Sequence, residues 1–274
     1  MKTTCRFISD SHTHSRNSFD GNDSVIMMCE KAFNLGLYSI TITDHCECHD
    51  NYIKNFRDSI CSSIKETSRA RATYYSNDSG LRVYTGIELG QPTQDQEAAK
   101  DALSLAEYDF VLGSLHNLRG EEDFYFLRYN EENVPGLLNR YFDELLELAE
   151  EGDFDSLAHL TYPLRYVYGA GIDPHIKNYS EKIDAVLLAV IKNHHALEIN
   201  TSGLRQKIRK TLPNGHILRR YRELGGKFVT LGSDAHRWAD IGSGIETGLE
   251  LLQECGFTHF TIYEKRKPQL LPIK

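Results

Sequence analysis

The chain lacks the features that would place it in a membrane, outside the cell or on nucleic acid. Its longest plain apolar run, Ala185 to Ile191, is far too short for a bilayer core of ~30 Å. The six cysteines, Cys5, Cys29, Cys46, Cys48, Cys61 and Cys255, show no disulfide-framework spacing. Met1-Lys2-Thr3-Thr4-Cys5 runs straight into a strand-like segment rather than a signal peptide, so a reducing, cytoplasmic setting is expected. Positive charge is in deficit: 31 Lys and Arg face 39 Asp and Glu, a net charge of −8. A protein held to nucleic acid by bulk charge would show the opposite balance. No internal repeat, low-complexity tract or Pro/Ser-rich linker divides the sequence, and residues 1–274 are read as one domain.

What the chain does have is histidine, twelve in all, several at the ends of apolar runs. The first cluster is Ser9-Asp10-Ser11-His12-Thr13-His14. In an extended chain alternate side chains share a side, so His12 and His14 can aim two imidazoles at one point. Neutral imidazole is a common ligand of first-row divalent metals.

The rest alternates between strand-like and helix-like segments. Strands are expected at Cys5–Ser9, Tyr38–Thr43, Leu81–Ile87, Asp109–Ser114, Ser156–Ala158, Ala196–Ile199, Lys227–Leu231 and His259–Tyr263. Helices are expected around Val25–Phe33, Asn51–Ala70, Ala98–Ala106, Leu137–Leu148, Ile183–Ile191, Leu212–Leu224 and Ile245–Glu254. Residues 117–133 form a long charged and aromatic loop, and Thr161–Pro174 reads as irregular. Such alternation implies a parallel α/β barrel or a doubly wound sheet. His12/His14, His45, Glu88, His116, His159 and Asp234/His236 each fall just past the C-terminal end of an expected strand. In a barrel those ends converge on one mouth, whereas a doubly wound sheet brings only a few to one crevice. The convergence favours a barrel. Burying these groups together without a cation would cost several kcal/mol in desolvation and repulsion.

These residues, quoted as His12-Thr13-His14, Thr43-Asp44-His45, Gly86-Ile87-Glu88, Gly113-Ser114-Leu115-His116, Ala158-His159-Leu160 and Gly232-Ser233-Asp234-Ala235-His236, resemble the polymerase and histidinol phosphatase (PHP) family, in particular its histidinol-phosphate phosphatases. The resemblance implies a distorted (β/α)7 barrel with the active site at the C-terminal strand ends, holding two or three divalent metal ions. It assigns His12, His14, Glu88 and Asp234 to one metal. Glu88, His116 and His159 would hold a second, and His45, His236 and a residue from the loop after His14 a third. Many relatives carry a histidine in that loop; here Asp20 is the only nearby carboxylate at a similar spacing and takes the place. Imidazole with carboxylate suits Zn, Mn or Fe.

The implied activity is hydrolysis of L-histidinol phosphate to L-histidinol and phosphate, in histidine biosynthesis, by attack of a metal-bridging hydroxide. The alternative is a phosphoesterase or nuclease acting on nucleotides or nucleic-acid ends. The expected partner is a small phosphomonoester, with no membrane and no nucleic acid. Asp234, His236 and Asp44 are the catalytic candidates, and Asp44 is equally a second partner that orients an imidazole. Arg165 and Arg205, on loops after the fifth and sixth strands, are the phosphate-binding candidates, with Arg119 a weaker third. Cys46-Glu47-Cys48 has no second cysteine pair and is read as loop, His194-His195 falls at the opposite end of its strand, and Lys265-Arg266-Lys267 is read as a solvated tail run.

Overall fold

The computed structural model describes residues 7–48, 53–76 and 80–273. Part of the expected first strand, and Asn51 and Tyr52 of the expected second helix, lie outside them. Strands β1 (Ser9–Asp10), β2 (Ser39–Ile42), β3 (His45–Glu47), β4 (Arg82–Gly90), β5 (Phe110–Ser114), β6 (Ser156–Leu157), β7 (Ala196–Asn200) and β8 (Val229–Gly232) form one parallel sheet. Its order is β1-β2-β4-β5-β6-β7-β8, with β3 also on β4. β2 pairs with the first half of β4, and β3 with its Glu88–Gly90 end. Together β2 and β3 make one stave, interrupted at Thr43-Asp44, so the barrel has seven. The seam closes between the first and last staves: Ser11 N–H donates to Leu231 O, Asp234 N–H to His12 O and His14 N–H to Ala235 O, each at 2.8 Å. This is the distorted (β/α)7 barrel that the resemblance implied.

The strands are buried on both faces, as parallel strands under helices must be. The cover comprises α1 (Val25–Asn34), α2 (Ile53–Ser76), α3 (Gln96–Ser104), α4 (Val134–Glu151), α5 (Leu164–Gly169), α6 (Ser180–Lys192), α7 (Gly215–Glu223) and α8 (Ile245–Glu254). On α4, Leu138, Tyr141, Leu145 and Leu148 repeat at helical spacing and are all buried. Asp95 and Asn214 accept backbone N–H groups at the starts of α3 and α7. None of the helices among the described residues is long and apolar enough to cross a membrane.

Two regions outside the mouth differ from the sequence reading. Thr161–Pro174 contains the short helix α5, and the supposed tail run is the turn of an antiparallel hairpin, β9 (His259–Glu264) with β10 (Lys267–Pro272). That hairpin docks at the barrel end opposite the mouth. Arg266 pairs with Asp155 at 3.1 Å, and Lys265 N–H donates to Asp109 at 3.1 Å. The basic turn is therefore held by carboxylates at the starts of β5 and β6.

His195, set aside by the sequence reading, lies at that same end, stacked on Phe154 at 4.0 Å. Burial pushes its pKa from the ordinary 6.5 down to about 4. Between those values the unfolded chain binds a proton that the folded one refuses, so this group lowers stability as pH falls through that window. His195→Gln should flatten the acid side of a Tm-against-pH profile between pH 6.5 and 4, read as the difference from wild type; parallel profiles would contradict it.

Candidate metal centre

The mouth is assembled around one carboxylate. Glu88 sits inside β4, two residues before its end rather than beyond it, because β4 runs on to Gly90. It is fully buried. Its Oε1 lies 2.9 Å from His159 Nε2 and 3.2 Å from His116 Nε2. Its Oε2 lies 2.9 Å from His45 Nδ1, 3.3 Å from His12 Nε2 and 3.4 Å from His14 Nε2. Five imidazoles from four segments thus surround a single side chain. Asp234 Oδ1 closes the group at 3.8 Å from His12 and 3.6 Å from His14.

Backbone geometry delivers these groups. His12 and His14 follow β1 and present both rings inward, 4.9 Å apart and fully buried. His45 opens β3, the strand that the sequence reading missed. His116 and His159 each lie two residues past their strands. His159 has φ +22° and Asp234 φ +54°, conformations uncommon for residues with a Cβ. His14 stacks between His45 at 4.1 Å and His236 at 4.3 Å. Asp20 joins on the solvent side, 3.1 Å from His236 and 3.6 Å from His45. Asn22 donates its N–H and Nδ2 to the His236 carbonyl, and Asp23 accepts the Trp238 N–H at 2.7 Å, so the loops carrying Asp20 and His236 are sewn together.

The electrostatics are unresolved by the protein's own groups. Burial opposes ionisation of Glu88, but His12, His116 and His45 outweigh it and hold its pKa well below the carboxylate range. Asp234 is held well down in the same way, by His12, Arg165 and His236 against burial. Burial and the neighbouring His45, His236 and His12 drive His14 well below the usual imidazole value. His12 is raised well above it, because Glu198, Glu88 and Asp234 outweigh its burial. Buried imidazoles that cannot all be protonated face carboxylates that stay charged. His12 Nε2, His14 Nε2, His45 Nδ1 and Glu88 Oε2 are buried without a hydrogen-bond partner. Buried polar atoms are normally satisfied, and bound divalent cations would satisfy these four between them. Donor atoms lie within 4.8 Å of one another in four sets: His12/His14/Asp234, His12/Glu88/His159, His45/Glu88/His116 and His14/His45/His236. The sets share members, so the site is less partitioned than the resemblance implies.

Several residues of the site escaped the sequence reading. Glu198, fully inside β7, accepts at 2.7 Å from both His12 Nδ1 and the His159 N–H. Glu47, between the two cysteines first read as loop, lies 3.0 Å from His116 Nδ1 and is held by Gln91 at 2.7 Å. Each leaves the Nε2 of its histidine facing Glu88, the arrangement that fixes the tautomer of a ligating imidazole. Gly232 and Gly90 make room: a Cβ on Gly232 would meet His12 and Glu198, and one on Gly90 would meet Glu47. Glu198→Gln should weaken metal binding or turnover by about 10–100-fold, measured by titration of the metal-stripped protein; an unchanged affinity would remove Glu198 from this role.

Asp44 does not face the cavity. Its carboxylate accepts from Ser15 N–H (2.6 Å), Ser15 Oγ (2.7 Å), Ser18 Oγ (2.8 Å) and Ser63 Oγ (2.5 Å). That is a bracket, and of the two roles expected of Asp44 it favours the partner that orients an imidazole over the catalytic one: Ser18 in turn contacts His14 Nδ1 at 3.3 Å and receives the His45 N–H.

A cavity of about 1060 Å³ opens over the cluster, walled by Phe19, Asp123, Tyr125, Tyr162, Arg165 and Tyr166 among others. The Arg165 side chain is only 8% exposed, lies over the Tyr162 ring at 4.6 Å and reaches Asp234 Oδ2 at 3.3 Å. Arg205 is placed differently. It does not line this cavity; its Nη2 donates to the carbonyls of Ser233 (2.8 Å) and Asp234 (3.3 Å), behind the turn. Pairing the two arginines from sequence is thus corrected: the loop after β7 turns Arg205 onto the backbone. Arg119 is at the rim, already paired with Glu147.

A model of the PHP domain matches residues 10–202. The chain is 31% identical over 263 residues to a probable histidinol-phosphatase of Clostridium acetobutylicum, covering 94% of this chain and 97% of that protein. It is 30% identical to a probable histidinol-phosphatase of Thermotoga maritima, over 94% and 96% of the two. The fold is similar to that of histidinol phosphate phosphatase from Lactococcus lactis, solved with zinc, L-histidinol and phosphate: TM-score 0.77, 22% identity, 96% of this chain and 98% of the other.

Proposed function

This chain belongs to the PHP domain family, and from that premise we propose that it is a metal-dependent phosphomonoesterase that hydrolyses L-histidinol phosphate to L-histidinol and phosphate. That reaction belongs to histidine biosynthesis, with a cytoplasmic setting. The observation that carries the reading is the set of buried, unpartnered imidazole and carboxylate atoms around Glu88, in a chain that matches probable histidinol-phosphatases almost end to end.

His12, His14, Glu88 and Asp234 would hold one divalent ion, Glu88, His116 and His159 a second, and His45, His236 and Asp20 a third, with Zn, Mn or Fe suited to the donors. When bound, such ions lower the pKa of water and offset charge on a phosphate. The chain's own residues do the rest. Arg165 offers a phosphate oxygen its guanidinium, whose Nε is buried and without a hydrogen-bond partner. Tyr162 lies 4.8–4.9 Å from the rings of His116 and His159 and excludes water from that side. Asp234, held ionised, accepts from Arg165 and cannot serve as a resting acid. Glu47 and Glu198 keep the Nδ1 protons of His116 and His12 in place.

The test is phosphate release by metal-supplemented protein from histidinol phosphate, sugar phosphates, nucleotides and DNA ends. Preference for histidinol phosphate is the expected result; faster release from nucleotides or DNA would overturn the substrate, and full activity after exhaustive chelation would overturn the metal.

A further inference from the structure

Asp10, in the short strand β1, is a completely buried carboxylate, and no Lys, Arg or His side chain among the described residues pairs with it. Its partners are neutral donors. Oδ1 accepts from Ser233 N–H at 2.8 Å and lies 3.4 Å from His12 N; Oδ2 accepts from Ser233 Oγ at 2.5 Å and Gly242 N–H at 2.8 Å. Ser233 and Gly242 are the two ends of the loop that carries Asp234 and His236. Asp234 itself is in the left-handed region, and its N–H donates to His12 O at 2.8 Å.

We propose that Asp10 is a positioning residue for the metal centre, one carboxylate that fixes both ends of the Ser233–Gly242 loop and thereby aims Asp234 at the imidazoles of His12 and His14. The physical reason for an anion here is geometry. Ser233 and Gly242 present donors from different directions, and only a group with two accepting oxygens meets them all. An asparagine of the same size must turn its NH2 toward one pair, leaving either the Ser233 or the Gly242 N–H facing another donor. The uncommon backbone of Asp234 persists only while its surroundings over-determine it, and Asp10 supplies three bonds to that end. The segment that contributes the first two imidazoles therefore also sets the opposing carboxylate, so the register of the barrel seam and the geometry of the centre are fixed together.

The inference rests on reading the site as a metal centre, and the experiment separates the two. Wild type, Asp10→Asn and Ser233→Ala are titrated with zinc after stripping, with bound metal counted, kcat and KM measured at saturating metal, and Tm recorded in chelator. Asp10→Asn should weaken zinc binding by about 10–100-fold, the range for outer partners of ligands, with KM for the phosphomonoester unchanged and kcat largely recovered at high zinc. Ser233→Ala, which keeps both backbone bonds, should show a smaller loss of the same kind. A fall in Tm with zinc affinity unchanged would make Asp10 merely structural and overturn the proposal. If Asp10→Asn does not fold, wild-type zinc affinity in Ser233→Ala overturns it. Failure of wild type to bind zinc would sink the reading of the site instead.

Discussion

Glu88→Gln is expected to cut kcat by about 10³-fold or more, beyond the 10–100-fold typical of an outer partner, and to lower the metal content of the purified protein. The substitution keeps the volume and removes the charge. Its force comes from the crowding around this side chain, with imidazole nitrogens of His12, His14, His45, His116 and His159 all within 3.4 Å of its two oxygens. A carboxamide offers one accepting oxygen and an NH2 that can face no ligand role. The anion that holds these rings ready is lost, and the like-charge repulsion that already depresses His14 becomes unopposed on that side. Elemental analysis and steady-state kinetics check it. Turnover within about tenfold of wild type would mean that Glu88 does not hold the metal ions proposed for it.

Arg165→Ala is expected to lower kcat/KM for a phosphomonoester by about 10²–10³-fold, the scale for removing a preorganised donor to developing negative charge, with metal content intact. Arg165→Lys should recover only part, since an ammonium cannot reproduce the planar fork. The guanidinium is held in position: it lies over Tyr162, is drawn to Asp234 and has its Nε buried. Arg205→Ala should cost less, about tenfold at most, because Arg205 does not line the cavity and its Nη2 is committed to the Ser233 and Asp234 carbonyls. Equal losses in the two variants would show that Arg205 reaches the substrate after all.

The contrast between these arginines marks where sequence reading stops. Both follow a strand by similar distances, and nothing in Asn200-Thr201-Ser202-Gly203-Leu204-Arg205 states that the chain makes a tight turn there and folds Arg205 behind the site. His12, His14, His116, His159, Asp234 and His236 were legible because polar groups able to hold a metal stood where an apolar run ended, an expensive place to leave them unpaired. Glu198 was not, since Ala196-Leu197-Glu198-Ile199-Asn200 reads as an ordinary strand, and a buried carboxylate is exposed as functional only by the imidazole it meets 186 residues away. Glu47 was masked by its flanking cysteines, both buried in the apolar core while the glutamate faces the site. The strand alternation gave the barrel and the first arm of the terminal hairpin, but its second arm was invisible, because Lys267-Pro268-Gln269 has little strand character of its own and is held by pairing with β9.

Trp238, the sequence's sole indole, lies two positions beyond His236, partly exposed, with the Lys31 ammonium 5.3 Å from its ring. Its emission responds to solvent and to nearby charge, and the ring belongs to the stitched pair of loops rather than to the core. Intrinsic fluorescence therefore serves as a native optical gauge of that corner. Ion uptake that tightens the corner would be recorded in unlabelled protein, without a substrate, and on the timescale of mixing.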